Sequence, residues 1–154
     1  MPQYQLRACT VEDAHALARN NMSAFWTDEN WVLIWRSHRT LEQVIDISSK
    51  RQARNLLRDR VILRHQAAVD TETGKIVGYA RWKLPPGYVT VQGTNEPQWP
   101  DAQVPDVSEA EREEFSKLAE SADWCPSSHM DALDEPVTKI KRELLAKKDY
   151  IGKL

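Results

Sequence analysis

Three of the six tryptophans, Trp26, Trp31 and Trp35, fall within one short stretch of this 154-residue chain. Large flat rings suit an apolar or cationic ligand. The stretch lies between two predicted helices, where a connection can cover a pocket. The same rings would also serve to pack the two helices together, which is the commoner role of a single tryptophan. Substrate binding by this stretch and core packing therefore remain two open interpretations.

No other residues combine into a recognisable reaction centre, so the catalytic residues stay unknown. Cys125 and His129 lie close together near Asp131, but a metal site needs further ligands at suitable spacing, and none is present. We therefore predict no metal site. Cys9 closes a predicted strand of the core, so we expect a buried thiol there rather than a nucleophile. The remaining histidines are single and unpartnered in the sequence: His15, His38 and His65.

Glycine placement argues against the two common phosphate-binding loops. Neither the P-loop spacing nor the dinucleotide-binding spacing occurs among the five glycines. The sequence therefore predicts no cofactor-binding residue. The glycines are Gly74, Gly78, Gly87, Gly93 and Gly152.

Charge is unevenly distributed although the net charge is only −2. Residues 85–136 hold 2 basic and 12 acidic side chains, whereas residues 1–84 hold 13 and 9. The acidic segment argues against a nucleic-acid partner, which needs a contiguous basic face. It could favour a cationic amine, or it could be a solvated surface insert. No apolar run approaches the roughly 20 residues that cross a bilayer, and two distant cysteines favour a cytoplasmic location.

Strand and helix signals alternate along the chain. Tyr4–Ala8 predicts a first strand, and segments 61–69 and 75–84 predict an antiparallel hairpin around the turn at 70–74. Residues 85–107, with five prolines, predict a long surface loop or insert. We expect an α+β fold, with a mixed sheet and helices packed on it. Capping boxes predict three helix starts, at Thr10 with Asp13, Thr40 with Gln43, and Ser108 with Glu111.

The last part of the chain predicts one more helix and the start of a strand. Pro136 suits the first turn of that helix, and Lys147 suits its C-terminal end. Asp149–Ile151 would begin a new strand, after which the chain ends at Leu154.

Several segments resemble GNAT-type N-acetyltransferases. Leu6–Ala14 (LRACTVEDA) is similar to the strand and helix start that open this family, and Gly74–Ala80 (GKIVGYA) is similar to its second hairpin. Trp82 and Pro85, the acidic insert and a helix ending at Glu143–Leu145 resemble a filamentous-fungal branch. The resemblance covers nearly the whole chain, as one domain over residues 1–154.

The resemblance implies an α/β sandwich that transfers an acetyl group from acetyl-CoA to an amine, here a small molecule of unknown identity. In the family, the connection from about Phe25 to Trp35 covers the substrate. The strand and Gly-x-Gly loop that hold coenzyme A would follow Tyr150, so we expect a partial sheet that lacks its C-terminal half. No cofactor or catalytic residue is carried over from the family.

Two expectations of different class follow from this resemblance. In the first, the chain is the N-terminal half of an acetyltransferase and is inactive alone. In the second, it is a non-catalytic binding or interaction domain derived from one. A partial sheet would leave an unpaired edge, so we expect self-association, or a partner, through that edge.

Overall fold

Among the residues that the structure describes, five α-helices and a four-stranded sheet form the fold, and they confirm the α+β class. The structure, a computed structural model, describes residues 3–35, 39–124, 131–147 and 152–153, with the backbone alone at 131–134 and 152–153. The elements are β1 (Tyr4–Ala8), α1 (Ala14–Phe25), α2 (Glu29–Val32), α3 (Leu41–Leu57), β2 (Leu63–Asp70), β3 (Ile76–Lys83), α4 (Glu109–Glu120), α5 (Asp131–Leu145) and β4 (Gly152–Lys153).

The sheet follows chain order, β1-β2-β3-β4, and neighbouring strands are antiparallel. The predicted hairpin is confirmed as β2 and β3, with Gly74 at φ 69° in the turn, where a side chain would be strained. The sequence predicts mixed strand directions, but every strand pair in the described part of the chain is antiparallel. Asp149–Ile151, the predicted strand start, lies outside the described residues, and β4 begins at Gly152.

All three predicted helix starts are confirmed. The Thr10 amide donates to the Asp13 carboxylate at 2.8 Å, the Thr40 amide to Gln43 at 2.8 Å, and the Ser108 amide to Glu111 at 2.9 Å. These side chains satisfy N–H groups that no helical carbonyl can reach. The first box opens a short 3-10 turn at Val11–Asp13, and α1 continues from it.

Helix α3 is the centre of the helical layer, because α1 and α4 both pack against it. Its predicted apolar side is buried at Val44, Ile45, Leu56 and Leu57. One core cluster lies between the helices and the sheet and includes Cys9, which is fully buried as expected. A second cluster is built around Trp35.

Residues 85–107 do more than cross the surface, because they cover a buried arginine of β2. The Arg64 side chain is 0% exposed, and no carboxylate in the described part of the chain neutralises it. Its hydrogen bonds all go to main-chain carbonyls. Gln98 accepts from Nη2 at 2.6 Å and from Nε at 2.9 Å, and Trp99 accepts from Nε at 3.1 Å. Burial lowers the pKa of Arg64, with Arg60 adding to the effect. The remaining acceptors are the carbonyls of Arg60, Val61 and Leu63.

The prediction for Pro136 was wrong. Helix α5 begins at Asp131, so Pro136 lies inside the helix rather than in its first turn. An interior proline removes one hydrogen bond from the ladder. The acidic residues Asp131, Asp134 and Glu135 favour a start before the proline, since negative charge is stabilising at a helix N-terminus.

No helix in the described ranges is long and apolar enough to cross a membrane.

Replacing Arg64 with methionine should destabilise the protein. The carbonyls of Gln98 and Trp99 would lose the Arg64 donors that tie their segment to β2, so we expect the free energy of unfolding to fall by about 3 kcal/mol. Urea denaturation measures this. The matched control is Arg58→Met, because the Arg58 side chain is 76% exposed, and its effect should stay within about 0.5 kcal/mol. Equal effects of the two substitutions would contradict the structural role of Arg64.

Candidate ligand cavity

A cavity of about 350 Å³ lies between α1, α3 and β3, with Trp124 at its border. Asn21 and Phe25 come from α1, while Tyr79 and Arg81 come from alternate positions of β3 and therefore share one face of the sheet. Helix α3 contributes four side chains whose spacing places them along one helix face. These are Ser48, Arg51, Gln52 and Asn55.

The cavity is cationic. Arg51 and Arg81 line it, and none of its lining residues is acidic. Arg51 lies over the Trp124 ring, with its guanidinium carbon 4.1 Å from the ring centroid, which is a cation–π contact. Burial lowers the pKa of Arg51, and the nearby Arg54 lowers it further. Neither lining arginine forms an ion pair with a described carboxylate, so both charges are available to a ligand.

A second cleft continues from this cavity along the end of β3. It has a volume of about 370 Å³ and shares Arg51, Asn55 and Arg81 with the cavity. Its further cations are Arg58 and Lys83, and its one acidic lining residue, Asp59, lies 3.3 Å from Arg58. The positive potential therefore extends beyond the cavity itself.

Half-buried Tyr79 and buried His65 form a polar pair at the wall of the cavity. The Tyr79 hydroxyl lies 2.8 Å from Nδ1 of His65, and the two rings are stacked. Burial lowers the pKa of His65 to about 4 and raises the pKa of Tyr79 to about 12, so both groups are neutral at pH 7. His65 is 1% exposed, and its Nε2 has no partner among the described residues. Cys9 lies in the same core, where burial raises its pKa to about 12 and makes it a poor nucleophile.

The predicted substrate tryptophans are brought together, but they do not line this cavity. Trp35 is 2% exposed, and Trp26 and Trp31 are half-buried against it. Ring centroids lie 5.9 Å apart between Trp31 and Trp35, and 5.0 Å apart between Trp35 and Trp124. The three rings therefore support Trp124, which does line the cavity. Their direct contact with a substrate stays a prediction.

The described residues do not fit the pyrophosphate of acetyl-CoA. Such a group binds at a helix N-terminus with free N–H groups. Here the side chains of Thr40 and Ser108 already cap α3 and α4, whose first turns also carry acidic residues. The 3-10 turn that leads directly into α1 carries the acidic Glu12 and Asp13. Cys125 and His129 lie outside the described part of the chain, and within that part no group of three or more metal-ligating side chains occurs.

Sequence reasoning missed Arg81, Tyr79 and Trp124 as cavity residues. Alternation along β3 places Tyr79 and Arg81 on one face, but nothing in the pattern shows that this face meets the polar side of α3. Arg51 and Arg58 stand out in the sequence only as part of a basic helix face. Comparisons with protein families, curated proteins and solved structures found no match for this chain.

Acid should weaken the fold through His65. In the unfolded chain this imidazole takes up a proton near pH 6.5, whereas in the folded chain it does so only near pH 4. The contribution of His65 to the free energy of unfolding is therefore fully present above pH 6.5, and it is lost progressively between pH 6.5 and 4. We expect the free energy of unfolding to fall by about 2 kcal/mol from pH 7 to pH 5 through this group alone.

The measurement is urea denaturation at both pH values, for the native chain and for His65→Gln. Glutamine keeps a polar partner for Tyr79 but does not titrate. The exposed His15 remains in both proteins and cancels in the comparison. An unchanged pH dependence in the variant would show that His65 is not the buried neutral group described.

Proposed function

We propose that this chain binds a small polar molecule carrying an anionic group, and that it does so as the acceptor-binding part of an N-acetyltransferase-like protein. The observation that carries the binding proposal is the cavity itself: it has two guanidinium groups that pair with no carboxylate of the described residues, and none of its lining residues is acidic. The substrate class is an amine that also bears a carboxylate or phosphate.

The cavity chemistry supports the anionic group. A guanidinium offers a planar fork of donors that matches a carboxylate or phosphate in two parallel hydrogen bonds. Asn21, Gln52 and Asn55 add amide groups that can donate to such a ligand or accept from its amine. Arg51 is held against Trp124, which limits its freedom before a ligand arrives. The same charges would repel a purely cationic amine, so the acidic segment 85–136 does not determine the ligand.

The acetyltransferase part of the proposal rests on the sequence resemblance. The antiparallel order of β1, β2 and β3, with helices α1 to α3 between the first two strands, is compatible with it. Acetyl-CoA is the expected donor. Since the described residues do not fit its pyrophosphate, we derive no transfer step from them. The cytoplasm is the proposed location, in line with the free, buried thiol of Cys9.

A non-catalytic binding domain is the second candidate, and one observation favours it. Attack by an amine needs its proton removed, usually by a group whose pKa lies near the working pH. Among the described residues at the cavity, the imidazole is that of His65 behind Tyr79, and its pKa of about 4 makes it a weak base at neutral pH. Binding without chemistry would suit this arrangement.

Binding is tested by calorimetry with matched amines. We expect the native chain to bind at least one amine that carries a carboxylate or phosphate, and to bind its neutral methyl ester or dephosphorylated counterpart about tenfold or more weakly. Arg51→Gln and Arg81→Gln should each lower the affinity for the anionic amine by a similar factor. Lys50→Gln is the matched control, because Lys50 adjoins Arg51 but is paired with Asp46 and does not line the cavity.

Activity is tested with the same ligands and acetyl-CoA, by following release of the free thiol. Acetylation that depends on Arg51 supports the acetyltransferase proposal. Arginine-dependent binding without any transfer supports the binding domain instead. If every anionic amine fails to bind, or if the arginine variants bind like the native chain, the cavity is not the ligand site.

A further inference from the structure

The cleft beside the ligand cavity has cations of its own. It has a volume of about 370 Å³, and its lining carries four cations and one acid, a formal charge of +3. Arg58 and Lys83 belong to the cleft alone, whereas Arg51 and Arg81 line both the cleft and the cavity. A ligand held by the two shared arginines can therefore extend into the cleft and meet further positive charge.

Regular backbone and one tight turn position the two cations that belong to the cleft alone. Lys83 lies two residues beyond Arg81 on β3, so the two side chains share one face of the sheet. Arg58 follows the last residue of α3, and the chain turns there, since the Asp59 carbonyl accepts a hydrogen bond from the Leu63 amide at 2.9 Å. Leu63 begins β2 and pairs with Lys83. The turn therefore brings the end of α3 beside the end of β3.

The charges of the cleft are available to an anion. Arg51, Arg81 and Lys83 form no ion pair with a carboxylate of the described residues. Arg58 lies 3.3 Å from Asp59, but the two side chains are 76% and 54% exposed, and a surface pair of this kind contributes little to stability. An anionic group of a ligand can therefore replace Asp59 beside Arg58 at little cost.

A groove between α3 and α4 also adjoins the cavity and is lined by cations. It contains Arg54 and Arg112 but lacks Arg81. The Arg112 guanidinium is already paired with the carboxylates of Asp106 and Glu109. The cleft is the better continuation of the cavity for an anion, because it shares Arg81 with the cavity and its lysine has no carboxylate partner among the described residues.

We propose that the cleft binds a second anionic group of the ligand, so that the substrate class is an amine with two anionic groups, each a carboxylate or a phosphate. This inference rests on the proposed function of the cavity, where Arg51 and Arg81 hold the first group. Arg58 and Lys83 hold the second. Two residues of a strand and seven residues of a helix separate the two pairs of cations by about 7 to 10 Å. The anionic groups of the ligand are separated by a similar distance.

Calorimetry with a series of α-amino dicarboxylates tests this proposal. Aspartate, glutamate, aminoadipate and aminopimelate share one amino acid group and place a second carboxylate at increasing distance from it. We expect aminopimelate to bind about tenfold more tightly than its side-chain methyl ester, which lacks the second charge. For aspartate and its side-chain ester the difference should be below about twofold, because the two carboxylates are too close together to reach both pairs of cations.

Substitutions in the cleft separate the second site from the first. Lys83→Gln and Arg58→Gln should each remove most of the difference between aminopimelate and its ester, and should leave the affinity for the ester unchanged. Arg54→Gln is the matched control, because it removes the same charge close to Arg51 but lines neither the cavity nor the cleft. Circular dichroism checks that each variant keeps its helical content.

The outcomes distinguish this proposal from the function on which it rests. If aminopimelate and its ester bind equally, and both depend on Arg51, the cavity is the ligand site and the second site is wrong. An equal loss in Arg54→Gln and Lys83→Gln would also overturn the second site, because the added affinity would then come from the overall positive potential or from the groove between α3 and α4. If no member of the series binds in either form, both proposals fail for amines of this class.

Discussion

The arrangement of this fold depends on one buried cation, the guanidinium of Arg64. A charge removed from water is costly unless its hydrogen-bonding groups are fully satisfied. Here main-chain carbonyls satisfy them, and those of Gln98 and Trp99 belong to the segment that follows β3. The arginine thus ties that segment to β2 on one side of the sheet. The opposite side is left to α1 and α3, where the cavity forms.

The cavity combines side chains that have different structural origins. Arg51 and Asn55 are separated by about one turn of α3, and Tyr79 and Arg81 by one alternation of β3. Each pair is positioned by regular backbone, which gives a more rigid site than loops would. Trp124 closes the border and is itself supported by Trp35 and by the rings of Trp31 and Trp26. The tryptophan-rich connection therefore influences the cavity through packing.

Local signals in the sequence were sufficient for much of the fold. Thr40 with Gln43 and Ser108 with Glu111 identify helix starts because both partners of each box lie within one turn. Period-two alternation identifies β2 and β3, and the buried side of α3 follows from its apolar spacing.

The partners of Arg64 could not be predicted, since Gln98 is distant in sequence and contributes only a carbonyl that every residue possesses. The contact between α3 and Arg81 of β3 likewise depends on tertiary packing, which sequence patterns do not show. This explains why the cavity was not predicted. Pro136 shows the opposite error: a strong local rule was overridden by the acidic residues before it.

Because Cys9 is buried, the reactivity of its thiol can be used to measure how often the surrounding core opens. With no exposed surface and a pKa raised to about 12, the thiol reacts with an alkylating reagent only when the core around it opens. Its neighbours in that core come from α1, α3, β2 and the segment after β3. The rate of Cys9 labelling, measured in a chain with Cys125 replaced by serine, therefore reports how often these four parts separate together. Ligand binding at Tyr79, which packs against the same core, would slow that reaction without touching the sulfur.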